Sequence, residues 1–401
     1  MRSPAQDRER EAMWELQNDE FRDPAEIVSY WQGARSTDPR LLEYETTGKW
    51  WETLLDLDIT LLVTREYEHL LLGIGMDEFA GPAMSLMRIP HPSGLAVDRE
   101  KGILHVASTR NPNQIFDFMP LNGLMSRLDV DETQIEDGLL VPVRTRLLPG
   151  CLYIHDLAMV GGELHANSVG QNAVVRLHPS GRHERVWWPQ CIETNDSPIF
   201  GRNHLQLNSI AAGESVESSF FSASTDEVTD LRPGDPDFPV DRRGVIFSGA
   251  SRQAIARGLT RPHSARLSGD RVWVDNSGYG EVGYIEDGEF FATAALPGWT
   301  RGLCFYQDVM FVGTSRILPR FKQYAPGLDV DSAKCGLHAV EVGSGRLLGS
   351  ISWPFGSQIF SVEWLPRYFA KGLPFTAGRN TMNHREELLF YSFKVPDSQE
   401  D

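Results

Sequence analysis

The sequence is poor in cysteine, in long apolar runs and in positive charge, and each shortage excludes a class of protein. Only Cys151, Cys191, Cys304 and Cys335 occur in 401 residues, and none stands in a C-x-x-C pair. So few thiols make no disulfide framework in so long a chain; they read as small core residues of a reduced protein. No apolar run approaches the ~18 residues that a membrane helix needs. Residues 1–10 are charged and no apolar stretch follows them, which is not the pattern of a secretory signal. These features predict a cytoplasmic protein. Lys and Arg total 38 against 55 Asp and Glu, a formal net charge of −17. A surface that acidic repels phosphate backbones and anionic lipid, so the expected partner is a small molecule, with no nucleic acid and no membrane. A phosphate-binding G-x-x-x-x-G-K-S/T, a dinucleotide G-x-G-x-x-G in strand–helix context and a G-x-S-x-G nucleophile elbow are all missing.

What is present is a series of short β-patterned segments. Residues 1–50 stand apart as a helical arm: a charged stretch carrying Met13, Trp14 and Leu16, then Asp23-Pro24 as a helix start and Gly33 as its stop. Trp14, Trp31, Trp50 and Trp51 supply apolar anchors that should dock the arm. From residue 51 to 401 a unit recurs: an apolar strand, an Asp/Gly turn, a second apolar strand and a small polar cluster. It is found at 59–73, 93–109, 156–168, 205–225, 264–277 and 302–315, with a degenerate seventh at 359–364 and 388–393. Repeats of this size, rich in strands and turns, predict an all-β fold, a single β-propeller, with seven blades preferred over six. The acidic, turn-rich segment 226–237 reads as a solvated loop.

Several stretches carry a family resemblance: Ser93-Gly-Leu-Ala-Val-Asp98, Ile154-His-Asp-Leu-Ala158, His204-Leu-Gln-Leu-Asn208, Pro262-His-Ser-Ala-Arg266, Asn276-Ser-Gly-Tyr-Gly-Glu281, Leu296-Pro-Gly-Trp-Thr-Arg-Gly-Leu303 and Cys335-Gly-Leu337. On these, residues 50–366 resemble an uncharacterised bacterial family of conserved hypothetical β-propeller proteins. The resemblance supports the propeller and implies no reaction. At His91 the sequence departs from the family pattern.

The repeat also lines up histidines. Just before the first strand of four consecutive units stand His91, His155, His204 and His263; the next two units have Arg301 and Gln358 there. Only 11 residues of 401 are His, so four at one phase exceed chance. The first strand of a blade lines the central channel, so these residues should ring one channel mouth. Four converging imidazoles suit a transition metal, Fe, Zn or Cu, with a coordination position left for substrate. Asp156 would fix an imidazole tautomer, with Asn208 or Asn276 as alternatives for that role, and Arg301 would hold a substrate carboxylate. Arg110, Gln114, Asn167, Asn208, Arg316 and Gln358 would line the substrate site. The function expected is a metal-dependent enzyme, an oxygenase or a lyase/isomerase. The alternative is a non-catalytic module that binds an anionic, sugar-like or peptide ligand through this rim.

Overall fold

The computed structural model describes residues 3–20, 29–110, 112–122, 138–195 and 197–376. The β-branched and aromatic runs become antiparallel strands, and the Gly and Asp turns between them close four-stranded meanders. Blade 2 comprises Pro92–Asp98, Ile103–Ser108, Asn113–Pro120 and Leu140–Leu148. Blade 3 comprises Ile154–Val160, Glu163–Ser168, Ala173–Leu177 and His183–Trp187; blade 4, Leu207–Ala211, Phe220–Ala223, Gly244–Ser248 and Ala254–Leu259; blade 5, Pro262–Ser268, Arg271–Asn276, Glu281–Glu286 and Glu289–Ala295. Blade 6 runs Trp299–Tyr306, Val309–Ser315, Gly336–Glu341 and Leu347–Ser352, and takes Glu45–Gly48 as a fifth, outer strand. The innermost strand of each of these sheets packs on that of the next, so the sheets stand as propeller blades round a channel.

Blade 1 explains why there are six blades and not the preferred seven. The seventh unit's first strand, Ser361–Pro366, makes no blade of its own. It pairs with Ile59–Arg65, in the register Ser361↔Thr64 to Pro366↔Ile59, and becomes the inner strand of the first blade. Leu70–Asp77, Gly81–Arg88 and the short Phe375–Thr376 complete that sheet. The ring is thus closed by strands from both ends of the chain. The second half of the expected seventh unit, 388–393, lies outside the described residues.

The core is a set of apolar layers between blades. One layer joins blades 2 and 3 through Ala96, Ala107, Leu157 and Ala166; another joins blades 3 and 4 through Trp187 and Phe221, whose rings sit 4.0 Å apart. Close blade approach demands glycine at two places. A Cβ on Gly94 would lie 2.6 Å from Asp156 Cα, where the inner strands of blades 2 and 3 meet. A Cβ on Gly349 would collide with the backbone of Trp50, where the N-terminal strand lies on blade 6.

The arm divides into parts. Helix α1 (Pro4–Glu20) leaves Trp14 58% exposed, so the expected docking through Trp14 is not what is found. A second helix, α2, spans Ser29–Arg35; the expected helix start at Asp23-Pro24 lies outside the described residues. Helix α3 (Trp50–Leu57) buries Trp50 and Leu54, four residues apart on one face, and Trp50 meets Phe311 of blade 6 edge-on at 6.1 Å.

Buried histidines already set a pH dependence. His338 spans blade 6, with Thr314 Oγ1 at 3.0 Å and Ser350 Oγ at 2.8 Å, and burial holds its pKa down at about 4. Unfolded, it titrates near ~6.5. Below that pH the unfolded chain binds the extra proton, so stability falls as pH drops from ~6.5 toward 4. Between pH 7 and 5 this one group should cost about 2 kcal/mol. Denaturant unfolding at the two pH values should show that loss reduced in His338→Gln; an equal loss in both proteins would remove His338 as its source.

Candidate functional site

Inner strands begin and second strands end at the same channel mouth, as the pairings Pro92↔Ser108, Ile154↔Ser168, Pro262↔Asn276 and Trp299↔Ser315 require. A cavity of about 430 Å³ opens there, and every blade contributes to its lining. Its lining contains six arginines, Arg110, Arg232, Arg261, Arg301, Arg316 and Arg320, against a single carboxylate, Glu66. In a chain of net charge −17 this is a sharp local inversion of sign.

Aromatic rings back most of these guanidiniums. Arg301 lies 3.3 Å from the ring centre of Phe360, Arg261 4.0 Å from Tyr324, Arg320 4.6 Å from Phe321 and Arg110 5.6 Å from Tyr153. Stacking restrains each planar fork and leaves its N–H edge free to donate. Arg110 reaches Glu66 at 3.5 Å and Arg232 reaches Asp235 at 3.3 Å. Arg261, Arg301, Arg316 and Arg320 have no carboxylate partner among the described residues. Burial, with the nearby Arg301 charge, brings Arg261 down to about 10.

Two of the four expected histidines share this cavity. His155 and His263 each occupy the second position of an inner strand and line it. Burial first, and then the charge of Arg301, pushes both imidazoles well below the usual histidine range, so they are neutral at pH 7. His155 packs against Tyr153 and Phe360, and its Nδ1 has no hydrogen-bond partner. His263 Nδ1 faces the Arg261 carbonyl at 2.8 Å and Ser277 Oγ at 3.0 Å. A carbonyl only accepts, so Nδ1 carries the proton and Nε2 keeps the lone pair.

His91 and His204 stand elsewhere. His91 precedes its strand with φ of +44°, stacks edge-on against His69 at 4.3 Å and lies 3.9 Å from Glu66. His204 comes three residues before Leu207, its backbone N–H held by Asn172 Oδ1. Neither lines the cavity. The shared sequence phase fails because the loops into the strands differ in length, and because five inner strands carry a bulge that breaks the two-residue alternation. Among the described residues no three His, Cys, Asp or Glu side chains come together as a metal-binding group. The expected four-histidine set is therefore not assembled.

The remaining expected residues divide in the same way. Arg110, Arg301, Arg316 and Gln358 line the cavity, and buried Gln358 leaves its Oε1 unpartnered. Asp156 does not orient His155; it pairs with Arg266 at 2.8 Å and accepts from the Ile210 N–H. Asn276 accepts from the Thr260 N–H and donates to Glu281, a tie inside blade 5 and its entry loop. Asn167 accepts from the His155 and Asp156 N–H groups and donates to the Leu207 carbonyl, which fixes blade 3 against blade 4. Asn208 donates to the Pro262 carbonyl and sits beside His155. Gln114 lies within the third strand of blade 2, away from the cavity.

Sequence reasoning missed Arg232, Arg261 and Arg320. Segment 226–237, expected as a solvated loop, instead turns inward: it delivers Arg232 and Gly234 to the cavity, and just beyond it Phe238 and Val240 are buried against Tyr324. The available signal was the length of the insertions after the second strands of blades 4 and 6 and their content of Arg and aromatics.

No helix among the described residues is long and apolar enough to cross a membrane. No curated protein matches the chain. Among solved structures, a chain of a nidogen/laminin complex aligns with a TM-score of 0.50 at 7% identity, covering 76% of this chain and 98% of that one. A gluconolactonase from Xanthomonas campestris aligns with a TM-score of 0.42 at 14% identity, over 74% of this chain and 86% of that one. Virginiamycin B lyase from Staphylococcus aureus aligns at 0.38 and 10%, over 77% and 99%. At such identities the first likeness speaks to fold alone, and the other two carry no argument. Residues 48–371 match the model of a domain of unknown function, DUF4915. The chain belongs to that family, whose propeller carries, in this member, an arginine-lined pocket at one channel mouth.

Proposed function

We propose that the pocket binds a small anionic molecule, the ligand class expected of a propeller binding module. The observation that carries this reading is the convergence of six arginines and one carboxylate on one cavity. Cationic side chains held together without acidic partners are costly unless an anion completes them. The size agrees: about 430 Å³ falls within the ~300–1,000 Å³ of small-molecule sites. The aromatic rings would pack the ligand's uncharged part, and Glu66 would take a hydroxyl. The same charges argue against the metal reading, since a divalent cation beside His155 and His263 would face the guanidiniums.

A second reading adds chemistry. His263 presents an unprotonated Nε2, held in one tautomer by the Arg261 carbonyl. A neutral, fixed imidazole beside bound anion is equipped to accept a proton from it or from water.

Thermal unfolding tests both the anion and the metal. Millimolar phosphate or sulfate should raise the melting temperature by mass action, beyond sodium chloride of equal ionic strength. Zinc, iron(II) or copper added to chelator-stripped protein should leave it unmoved. Stabilisation by metal and not by anion would reverse the assignment.

A further inference from the structure

Two cations of the pocket stand out by their isolation. Arg261 and Arg301 enter from neighbouring blades, 5 and 6. Arg261 is 5% exposed; its guanidinium donates to the neutral oxygens of Gln206, of Ser224 at 3.3 Å and of Tyr324, and its Nε has no partner. Arg301 rests on Phe360 and makes no ion pair or hydrogen bond among the described residues. The two are near enough for Arg301 to act on the charge of Arg261. Glu66, the one carboxylate of the lining, is engaged by Thr109 Oγ1 at 2.7 Å and by Arg110; it acts on Arg301 without forming an ion pair with it. Gln358 Oε1 and His155 Nδ1, both buried in the same lining, are also left without partners.

Two guanidiniums that enter one cavity from neighbouring blades, neither of them in an ion pair, repel each other. One anionic group facing one fork would satisfy half of the pair and leave the other half buried and unmatched. Resting on the anion-pocket reading, we propose that the natural ligand carries two adjacent anionic groups, a diphosphate or a dicarboxylate, held jointly by Arg261 and Arg301. A consequence follows for protons. The charged groups acting on His263 are Arg301 and Arg261, with His155 beside it, and those acting on His155 are Arg301, Arg261 and Arg110. A ligand that offsets these arginines removes part of what keeps the imidazoles neutral, so its binding should take up protons.

Isothermal titration at fixed ionic strength and pH 7 decides it, with pyrophosphate and malonate as two-group probes and orthophosphate and acetate as their single-group counterparts. Pyrophosphate or malonate should bind at least 10-fold more tightly than its counterpart, and which of the two does so identifies the source chemistry. Repeating the titration in buffers of different ionisation enthalpy should show proton uptake. In Arg261→Gln the preference should shrink to below about 3-fold while single-group binding persists. Orthophosphate binding as tightly as pyrophosphate, with acetate matching malonate, would overturn the two-group proposal and leave the anion pocket standing. Binding of none of the four at 10-fold millimolar excess would remove the anion pocket itself.

Discussion

Arg301→Met should lose anion binding and gain stability at once. Arg301 has no carboxylate partner among the described residues and sits against Phe360. Methionine keeps an unbranched apolar stem on that ring and deletes the charge. Losing one buried partner of a bound anion costs about 3 kcal/mol, or roughly 100-fold in affinity. Without ligand the balance reverses, because a cation held among other cations with no ion-pair partner is a liability that an apolar side chain relieves. The unliganded variant should therefore melt above wild type, the signature of a residue kept for function at the expense of stability. Calorimetry and thermal unfolding on the two proteins check both halves. A variant that melts lower and binds as before would make Arg301 a structural residue.

Ending the chain at residue 358 should abolish folding, not trim it. The deletion removes the inner strand of blade 1 and with it buried Val362, Leu365, Leu373 and Phe375. Each such side chain contributes about 2–4 kcal/mol, and their sum reaches the whole ~5–15 kcal/mol that holds a domain folded. The exposed edge of Ile59–Arg65 would then invite aggregation. Circular dichroism and analytical gel filtration should find unfolded or aggregated material. A soluble truncated protein with a cooperative melt would show that the ring stands without its closing strand.

Strand texture and repetition were legible because they rest on local chemistry. Ile103–Ser108 and Val309–Ser315 are short, mostly apolar runs bounded by turn residues, and both are buried almost throughout. The blade number was not, because Ser361–Pro366 has the same pattern whether it founds a seventh blade or completes the first; only a partner nearly 300 residues away decides. The site was legible in part. Arg110, His155, His263, Arg301, Arg316 and Gln358 reach the cavity as the repeat implied. The fourfold histidine phase misled, since a count along the sequence does not see bulges, and one residue of slip turns a side chain to the other face. Arg232 and Arg320 sit on insertions that follow no repeat, so nothing periodic pointed to them.

The pairing of Thr64 with Ser361 also fixes when the protein can finish folding. The two residues are 297 apart in sequence, and closing a loop of that length costs about 5 kcal/mol in chain entropy before any contact repays it. Blades 2 to 5 are local meanders that can form as the chain emerges, whereas the first blade must wait until Ser361–Pro366 is made. Gln358 and Phe360 stand immediately before the closing strand. The pocket is thus completed in the same late event that shuts the ring, and a nascent or prematurely ended chain has no assembled site with which to capture its ligand.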